Sequence, residues 1–351
     1  MKTMNASRTP RLSGTKLALF SALFLLLTGI GLYVVYAGFA DRSLGFDVRL
    51  LEPTTLAATA ALLLVYYLSD GLRLYCTLRA LGERVPPKAM ARLVFINLFF
   101  SNITPMATGG GVAQVWFLRQ TGVSVGRATA ATTIRTLLAV VFIFGLTPVF
   151  LLTLPSLQEH VLIQRIGQAL VVFVLLYLGA FTVLLLRTRW LIPPLDGVFN
   201  GLRALSLISE ARRRHWRFGS RRELLRFSRS FREYATGSPL WVALSVLFTA
   251  LFLLSLFSFP ALLIHALGHT VEYLTSLGLL VVTTFIMYFS PTPGASGVAE
   301  GVFGSFFRDL IGGEHLLLVI LAWRLVTIYL GMLIGYFILQ HGLVQRWRGR
   351  S

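Results

Sequence analysis

The chain has 351 residues, of which 56% are hydrophobic and only 13% are charged. A soluble globular chain carries about 25% charged residues, so the composition excludes an ordinary soluble enzyme or binding domain. Apolar runs of 20 residues or more recur along the chain, and each can cross a hydrocarbon core of about 30 Å as a helix. We therefore expect an all-α polytopic membrane protein.

The formal net charge is +18, and 29 of the 32 basic residues are arginine. On a soluble protein this charge would indicate a nucleic-acid partner. Here the membrane accounts for it, because basic residues collect in cytoplasmic loops and at anionic headgroups. We expect no nucleic-acid partner and no cofactor. The single cysteine, Cys76, excludes a disulfide within the chain.

Six apolar runs predict full membrane spans at 17–39, 54–78, 128–154, 163–186, 239–267 and 315–340. The first run is too long for the core of a signal peptide, so we interpret it as an uncleaved span. Two shorter apolar stretches, 90–118 and 271–311, are broken by proline and glycine. Both residue types interrupt helices, so each stretch is predicted to be a re-entrant hairpin.

The distribution of Lys and Arg predicts the orientation. On the side of the two termini lie 25 of these residues, and four lie on the other side. Both termini are therefore expected to be cytoplasmic, in the plasma membrane. Six spans, an even number, already place both termini in the cytoplasm, so each broken stretch must enter and leave the membrane on the same side. The stretch 90–118 is expected to enter from the cytoplasm, and the stretch 271–311 is expected to enter from outside. A count of apolar peaks alone would instead give eight crossings.

The sequence predicts a basic cytoplasmic tail (1–16), a first membrane half (17–186) and a polar cytoplasmic segment (187–238). A second membrane half (239–340) and a short cytoplasmic tail (341–351) follow. The polar segment has twelve arginines beside apolar residues at three- and four-residue spacing. This pattern indicates an amphipathic helix on the anionic leaflet. The alternative is a cytoplasmic linker without a specific ligand.

The two breaks resemble each other in sequence. Thr104 precedes a proline and then Gly-Val-Ala-Gln at 111–114, and Thr292 precedes a proline and then Gly-Val-Ala-Glu at 297–300. Since the halves insert in opposite directions, the match predicts an inverted repeat with broken helices near the bilayer midplane. The alternative is that the glycines only allow close helix packing. Each break is followed by two arginines 16 residues apart: Arg119 and Arg135, then Arg308 and Arg324.

Five ionisable side chains lie inside the apolar stretches: Asp70, Arg73, Arg135, Glu300 and Arg324. A charged side chain at the centre of a helix costs at least about 2.5–3.5 kcal/mol in a bilayer, so each is a functional candidate. The alternative is structural pairing, of Asp70 with Arg73 and of Glu300 with Arg135 or Arg324. Arg73 lies near the cytoplasmic end of its span, so snorkelling is a further alternative for this residue.

Helix ends at the breaks leave backbone N–H groups that suit a phosphate or carboxylate. We therefore predict a polar cavity between the breaks, where Arg135 and Arg324 bind the phosphate of a headgroup. No catalytic residue and no metal ligand is predicted, and His265 and His269 are interpreted as interfacial residues. The predicted substrate-binding residues are Asp70, Asn102, Thr104, Gly109, Gly110, Gly111, Gln114, Arg119, Arg135, Pro293, Gly294, Gly297, Glu300, Arg308 and Arg324.

The residues at 102–122 resemble the first signature of the flippase-like family, which is also named for the lysylphosphatidylglycerol synthase transmembrane region. Those at 291–301 resemble its second signature, and Arg135 and Arg324 match the arginines that follow the two signatures. The sequence departs from the pattern at Val112, where the family often has an acidic residue, and at two positions where it usually has glycine, Ala295 and Ser296.

The resemblance covers about 16–340 and implies a membrane-embedded unit that moves a lipid across the bilayer. In the synthases, this unit lies beside a soluble aminoacyl-transfer domain, and we expect no such domain in this sequence. We therefore expect a stand-alone transporter and not an enzyme. The implied substrate is a phospholipid, an aminoacyl-phospholipid or a polyprenyl-linked lipid.

Two other functions stay open. One is a membrane subunit of a lipid-modifying enzyme system for aminoacyl or glycosyl transfer, with Asp70 and Glu300 as the candidate bases. The other is a scaffold that recruits a partner through 187–238. A homo-oligomer or a complex with a partner enzyme also stays open.

Overall fold

The computed structural model describes residues 47–104, 106–158, 168–177, 229–311 and 313–348, with the single positions 22, 26, 29, 30, 33, 179 and 197. This part of the chain is all-helical, which confirms the predicted fold class. The span at 17–39, the terminal tail at 1–16 and most of 187–238 lie outside the described residues, as does Pro105.

The longer helices follow one another along the described chain as α1 (Pro53–Ala80), α2 (Pro87–Ile103), α3 (Thr108–Gln120), α4 (Val125–Thr153), α5 (Gln168–Tyr177), α6 (Pro239–Ala266), α7 (Tyr273–Met287), α8 (Val298–Phe307), α9 (Gly313–Arg324) and α10 (Leu330–Arg348). A π-helical turn, Leu325–Tyr329, joins α9 to α10. Shorter helical turns occupy Val48–Leu51 and Pro155–Gln158.

Four of these helices are long and apolar enough to cross a membrane: α1, α4, α6 and the continuous helix His315–His341. They match four predicted spans, with ends that differ by up to three residues. Three of the longer helices, α1, α2 and α6, begin at a proline. Proline suits the first turn of a helix because a backbone N–H at that position would have no acceptor within the helix. The predicted span at 163–186 is described only over α5 and position 179.

The two broken stretches form pairs of short helices. The first pair, α2 and α3, has 17 and 13 residues, and the second pair, α7 and α8, has 15 and 10. A helix of 17 residues is about 25 Å long, which is shorter than a typical hydrocarbon core. The described residues between Ile103 and Thr108 are not helical, and neither is the turn region between Met287 and Val298.

Both arms of the first pair meet at one end of the molecule. The loop before α2 and the loop after α3 line a common cleft with the start of α4. There Arg127, in the first turn of α4, donates to Glu83 at 2.8 Å and lies 3.6 Å from Glu233. The α2–α3 pair therefore starts and ends at this end.

The second pair starts and ends at the opposite end. His269, before α7, lies 2.7 Å from His315, at the start of the long C-terminal helix, and His315 lies 3.4 Å from Asp47. Asp47 precedes α1, whereas Glu83 follows it, and α1 has 28 residues, about 42 Å of helix. The two pairs thus open at opposite ends, as an inverted repeat requires. Their re-entrant placement in a membrane stays a prediction.

The largest apolar cluster joins α4, α6, α7, α8 and α9, and α1 packs along α6 beside it. Tyr66 on α1 stacks on Phe252 with ring centroids 5.0 Å apart, and it meets the edge of Phe259. The C-terminal helix packs against α2, and it can approach closely because Gly335 has no Cβ to collide with the carbonyl oxygen of Phe95. These contacts hold the long helices around the two short pairs.

Candidate functional site

The first break is a tight reversal between α2 and α3. Thr104 Oγ1 donates to the Phe100 carbonyl at 2.7 Å and accepts the N–H of Gly109 at 2.8 Å. Met106 and Ala107 have φ values of 53° and 54°. Left-handed backbone costs a non-glycine residue about 1–2 kcal/mol, so the surrounding contacts must hold this turn in place.

The glycines after the first break allow α3 to lie close against α2. A Cβ on Gly110 would overlap Ser101 Oγ, and one on Gly109 would lie 2.6 Å from Thr104 Cγ2. A Cβ on Gly111 would make only an ordinary contact, at 3.9 Å from Thr132. Close packing therefore explains Gly109 and Gly110, and it accompanies a true interruption of the helix.

A threonine hydroxyl also bridges the second break, although it donates forward across the turn and not back into the preceding helix. Thr292 Oγ1 donates to the carbonyl of Ser296 at 2.8 Å, across the turn that contains the partly buried Pro293. Three residues of this break have positive φ: Gly294 at 58°, Ala295 at 54° and Gly297 at 85°. Gly297 is also the N-cap of α8. The sequence match between the breaks thus corresponds to a match in local structure.

The two breaks lie against each other. A Cβ on Gly294 would be 3.2 Å from Asn102 Oδ1 and 3.5 Å from the Asn102 carbonyl oxygen. Asn102 is in the last turn of α2, where its Nδ2 donates to Leu98 at 2.8 Å. Arg324 Nη2 in turn donates to the Gly294 carbonyl at 2.8 Å. The structure therefore brings together residues that the sequence predicted on separate halves.

A buried group of charges connects α1 with α4, and we call Asp70, Arg73 and Arg135 the Asp70 cluster. Arg73 Nε donates to Asp70 Oδ1 at 2.9 Å, and Arg135 Nη2 donates to the same oxygen. The three residues are 3%, 5% and 6% exposed, respectively. Two guanidiniums share one carboxylate, so the cluster has one positive charge in excess.

The Asp70 cluster has hydrogen-bonding groups left over. Arg73 Nη1, Arg135 Nε and Gln114 Oε1 are buried and have no hydrogen-bond partner within the described chain. Asp70, Arg135 and Gln114 line one narrow cleft between α1, α2, α3 and α4. Its enclosed part has room for about one water molecule. A larger occupant would therefore require the cleft to widen.

A second buried ion pair lies behind the second break, and we call Glu300 and Arg324 the Glu300 pair. Arg324 Nε donates to Glu300 Oε1 at 2.6 Å, and the Gly297 N–H donates to Glu300 Oε2 at 2.6 Å. Both side chains are 2% exposed. Arg324 Nη1 and the neighbouring Trp323 Nε1 are buried without a partner in the described residues. Unlike the Asp70 cluster, this pair is electrically neutral.

Two predicted site residues lie elsewhere. Arg119 is exposed in the last turn of α3, and Arg308 is exposed directly after α8. The structure does not bring either into the Asp70 cluster or the Glu300 pair. The same spacing of 16 residues separates Arg119 from Arg135 and Arg308 from Arg324. In each half, the first arginine is exposed at the end of a short helix, and the second is buried in the helix that follows.

Of the two alternatives for Arg73, the structure shows pairing with Asp70 and not snorkelling. Its guanidinium is buried, binds Asp70 and lies 3.7 Å from the centroid of the Phe252 ring on α6. A cation over an aromatic face is stabilised by the ring quadrupole, more so when water is excluded. The i, i+3 spacing of Asp70 and Arg73 on one helix was the sequence signal for their ion pair. The burial of Arg73 under Phe252 of α6 depends on tertiary packing, which the sequence does not show.

The histidine at 269 pairs across the opposite end of the molecule. His269 contacts His315, and Asp47 accepts from Arg49 Nη2 at 2.6 Å. The hydrogen bonds from Arg49 lower the pKa of Asp47 to about 2. Burial lowers the pKa of His269, with a further contribution from His315. No group of three or more Cys, His, Asp or Glu side chains in the described residues could hold a metal ion.

The sequence comparisons agree with this architecture. Residues 12–335 match the family described as the lysylphosphatidylglycerol synthase TM region. A UPF0104 membrane protein of Archaeoglobus fulgidus is 22% identical over 322 residues, which cover 91% of this chain and 96% of that protein. The matched range contains both breaks, the Asp70 cluster and the Glu300 pair. The chain therefore belongs to the lysylphosphatidylglycerol synthase transmembrane-region family.

Proposed function

We propose that this protein is a multi-pass transporter of the plasma membrane, with both termini cytoplasmic. It would move a phospholipid, or another lipid with an anionic or aminoacylated headgroup, across the bilayer. The headgroup would travel through a polar cavity between the two helix pairs, which act as re-entrant hairpins. The lipid tails would stay in the bilayer.

The excess positive charge of the Asp70 cluster is the observation that carries this proposal. A buried charge without a partner is strongly unfavourable in a membrane. Here it accompanies donors on Arg73 and Arg135 that have no partner among the described residues. The guanidinium group suits phosphate because its planar N–H groups match the phosphate oxygens. A headgroup phosphate would supply the missing negative charge and accept from both arginines.

The arrangement of the helix pairs supports a path across the bilayer. One pair opens at each end of the molecule, and the breaks meet through Asn102 and Gly294. Irregular backbone at membrane depth is tolerated only where protein or a water-filled cavity covers it. A headgroup could therefore pass from one pair to the other near the breaks. Without a nucleotide-binding loop in the sequence, the movement would be downhill or ion-coupled. We propose downhill movement, because few acidic residues lie in the apolar stretches.

The enzyme-subunit alternative requires a carboxylate that can act as a base. The two candidates, Asp70 and Glu300, are both held by buried arginines, and Glu300 also accepts a backbone N–H. A carboxylate whose oxygens already accept hydrogen bonds from buried partners has fewer lone pairs left to take a proton from a substrate. This favours binding over catalysis at both places.

The test is lipid crossing in liposomes that contain the purified protein. The probes are labelled phosphatidylglycerol, its lysyl ester and a polyprenyl phosphate, and headgroup accessibility is followed over time. Arg135→Gln leaves the Asp70–Arg73 pair in place but removes the excess charge, so we expect at least a tenfold slower crossing. Arg84→Gln, at an exposed loop arginine, is the matched control and should cross lipid at the normal rate.

Two results would contradict the proposal. The first is crossing at the normal rate by Arg135→Gln. The second is the absence of crossing for all three lipids by wild-type protein that is folded by gel filtration and thermal melting. Modification of a headgroup by the purified protein would favour the enzyme-subunit alternative.

A further inference from the structure

The charge of the Asp70 cluster limits which anion it can hold. Arg73 and Arg135 contribute two positive charges, and Asp70 cancels one of them. An occupant with one negative charge makes the site neutral. An occupant with two negative charges leaves one of them uncompensated beside the Asp70 carboxylate, in a place where low dielectric strengthens repulsion.

The position of Asp70 makes this limit effective. Both arginines donate to a single oxygen, Asp70 Oδ1, so their remaining donors project around the same carboxylate. A phosphate that accepts from Arg73 Nη1 or Arg135 Nε therefore has this carboxylate as a close neighbour. Asp70 also lines the cleft itself, together with Arg135. No other acidic residue lines that cleft within the described chain.

We infer that Asp70 is a specificity-determining residue, which makes the site select phosphodiester headgroups with one negative charge over phosphomonoester headgroups with two. The inference rests on the proposed headgroup site. It excludes lipids that end in a phosphate monoester, such as phosphatidic acid or a polyprenyl monophosphate, from the preferred substrates. The Glu300 pair, being neutral, adds no charge that would change this preference.

The experiment compares two lipids that differ by one methyl group and one charge. Dioctanoyl phosphatidylmethanol is a phosphodiester, and dioctanoyl phosphatidic acid is a monoester whose second pKa is about 6. Binding to purified protein in detergent is measured by isothermal titration calorimetry. At pH 8 we expect the wild type to bind the diester at least about tenfold more tightly. At pH 5 the monoester has lost its second charge, and the difference should nearly vanish.

Two variants test the role of Asp70. Asp70→Asn keeps the size and one oxygen acceptor but raises the excess charge to two, so the preference at pH 8 should reverse. Arg73→Gln leaves the Asp70–Arg135 pair neutral, so both lipids should bind at least about tenfold more weakly. Arg84→Gln should leave both affinities unchanged. Gel filtration and thermal melting establish that each variant is folded. If Asp70→Asn does not fold, the inference is tested by the affinities of Arg73→Gln and by the comparison of the wild type at pH 8 and pH 5.

The inference is overturned if the wild type binds neither lipid, binds both equally at pH 8, or prefers the monoester. It is also overturned if folded Asp70→Asn keeps the wild-type preference. Charge-selective binding without lipid crossing in liposomes would refute transport and leave the selectivity standing. Equal crossing rates for the two lipids would refute the selectivity and leave transport standing.

Discussion

Gly294, in the second break, lies against Asn102, at the end of α2, so closely that a Cβ on Gly294 would be 3.2 Å from Asn102 Oδ1. The carbonyl of the same glycine accepts from Arg324. One residue therefore joins the second break to the first helix pair and to the Glu300 pair. The contact makes the two breaks one structural unit.

Replacing Gly294 by alanine should weaken this unit. The residue has a φ of 58°, which costs a side chain about 1–2 kcal/mol, and the Asn102 contact adds to that cost. We expect a clearly lower melting temperature and slower lipid crossing. Gly301→Ala is the control, because its Cβ would meet nothing within 4 Å and alanine favours a helix interior. Equal melting temperatures for Gly294→Ala and Gly301→Ala would show that the contact of Gly294 with Asn102 does not contribute to stability.

The Glu300 pair should stabilise the fold only as a pair. Glu300→Gln leaves the Arg324 charge buried without a partner, and loss of one member of a buried pair costs about 3–5 kcal/mol. The double variant Glu300→Gln, Arg324→Gln removes both charges and should recover a large part of the lost stability. Chemical unfolding of Glu300→Gln alone, Arg324→Gln alone and the double variant, each against the wild type, measures this coupling. Additive losses would show that the two side chains do not interact.

The close approach of α2 and α3 should depend on Gly110. An alanine there would overlap Ser101 Oγ, and overpacking of this kind costs about 1–3 kcal/mol. Adding Ser101→Ala should restore part of the stability, since it removes the nearest atom. Gly145→Ala, in α4, has open space around its Cβ and serves as the control. If Ser101→Ala does not raise the melting temperature of Gly110→Ala, the contact between residues 110 and 101 is not the cause of the lost stability.

Stability should fall as the solution becomes mildly acidic. The pKa of His269 lies below its ordinary value of 6.5, because burial disfavours the charged ring and because His315 and Arg49 are close. The stability linked to His269 is therefore complete above pH 6.5 and is lost as the pH falls through the lowered pKa. Asp47, with a pKa of about 2, stays charged throughout this range and continues to face His315.

Melting temperatures between pH 8 and pH 5 measure this effect. His269→Gln should reduce the dependence on pH, because glutamine does not titrate. His265→Gln, at an exposed position near the end of α6, is the control and should keep the wild-type dependence. An unchanged profile in His269→Gln would exclude this histidine as the titrating group.

Much of the architecture could be predicted from the sequence. Four long helices lie where the apolar runs placed them, because about 20 apolar residues must form a helix to satisfy their backbone in a membrane. The breaks after Thr104 and Thr292 were also predictable, since proline and glycine interrupt helices locally. The repeat of these signals predicted two similar turns. All of these features depend on residues that are near one another in the chain.

The pairing of the charges depended on tertiary structure. Asp70 binds Arg135, which is 65 positions away, and this contact exists only because α1 and α4 pack side by side. Arg73 is buried because α6 brings Phe252 over it, although its position near a helix end suggested snorkelling. The sequence by itself determined which residues are helical, where helices break and which charges must find partners. Only the tertiary structure decided the partners, because ion pairing acts over a few ångströms and helix packing sets those distances.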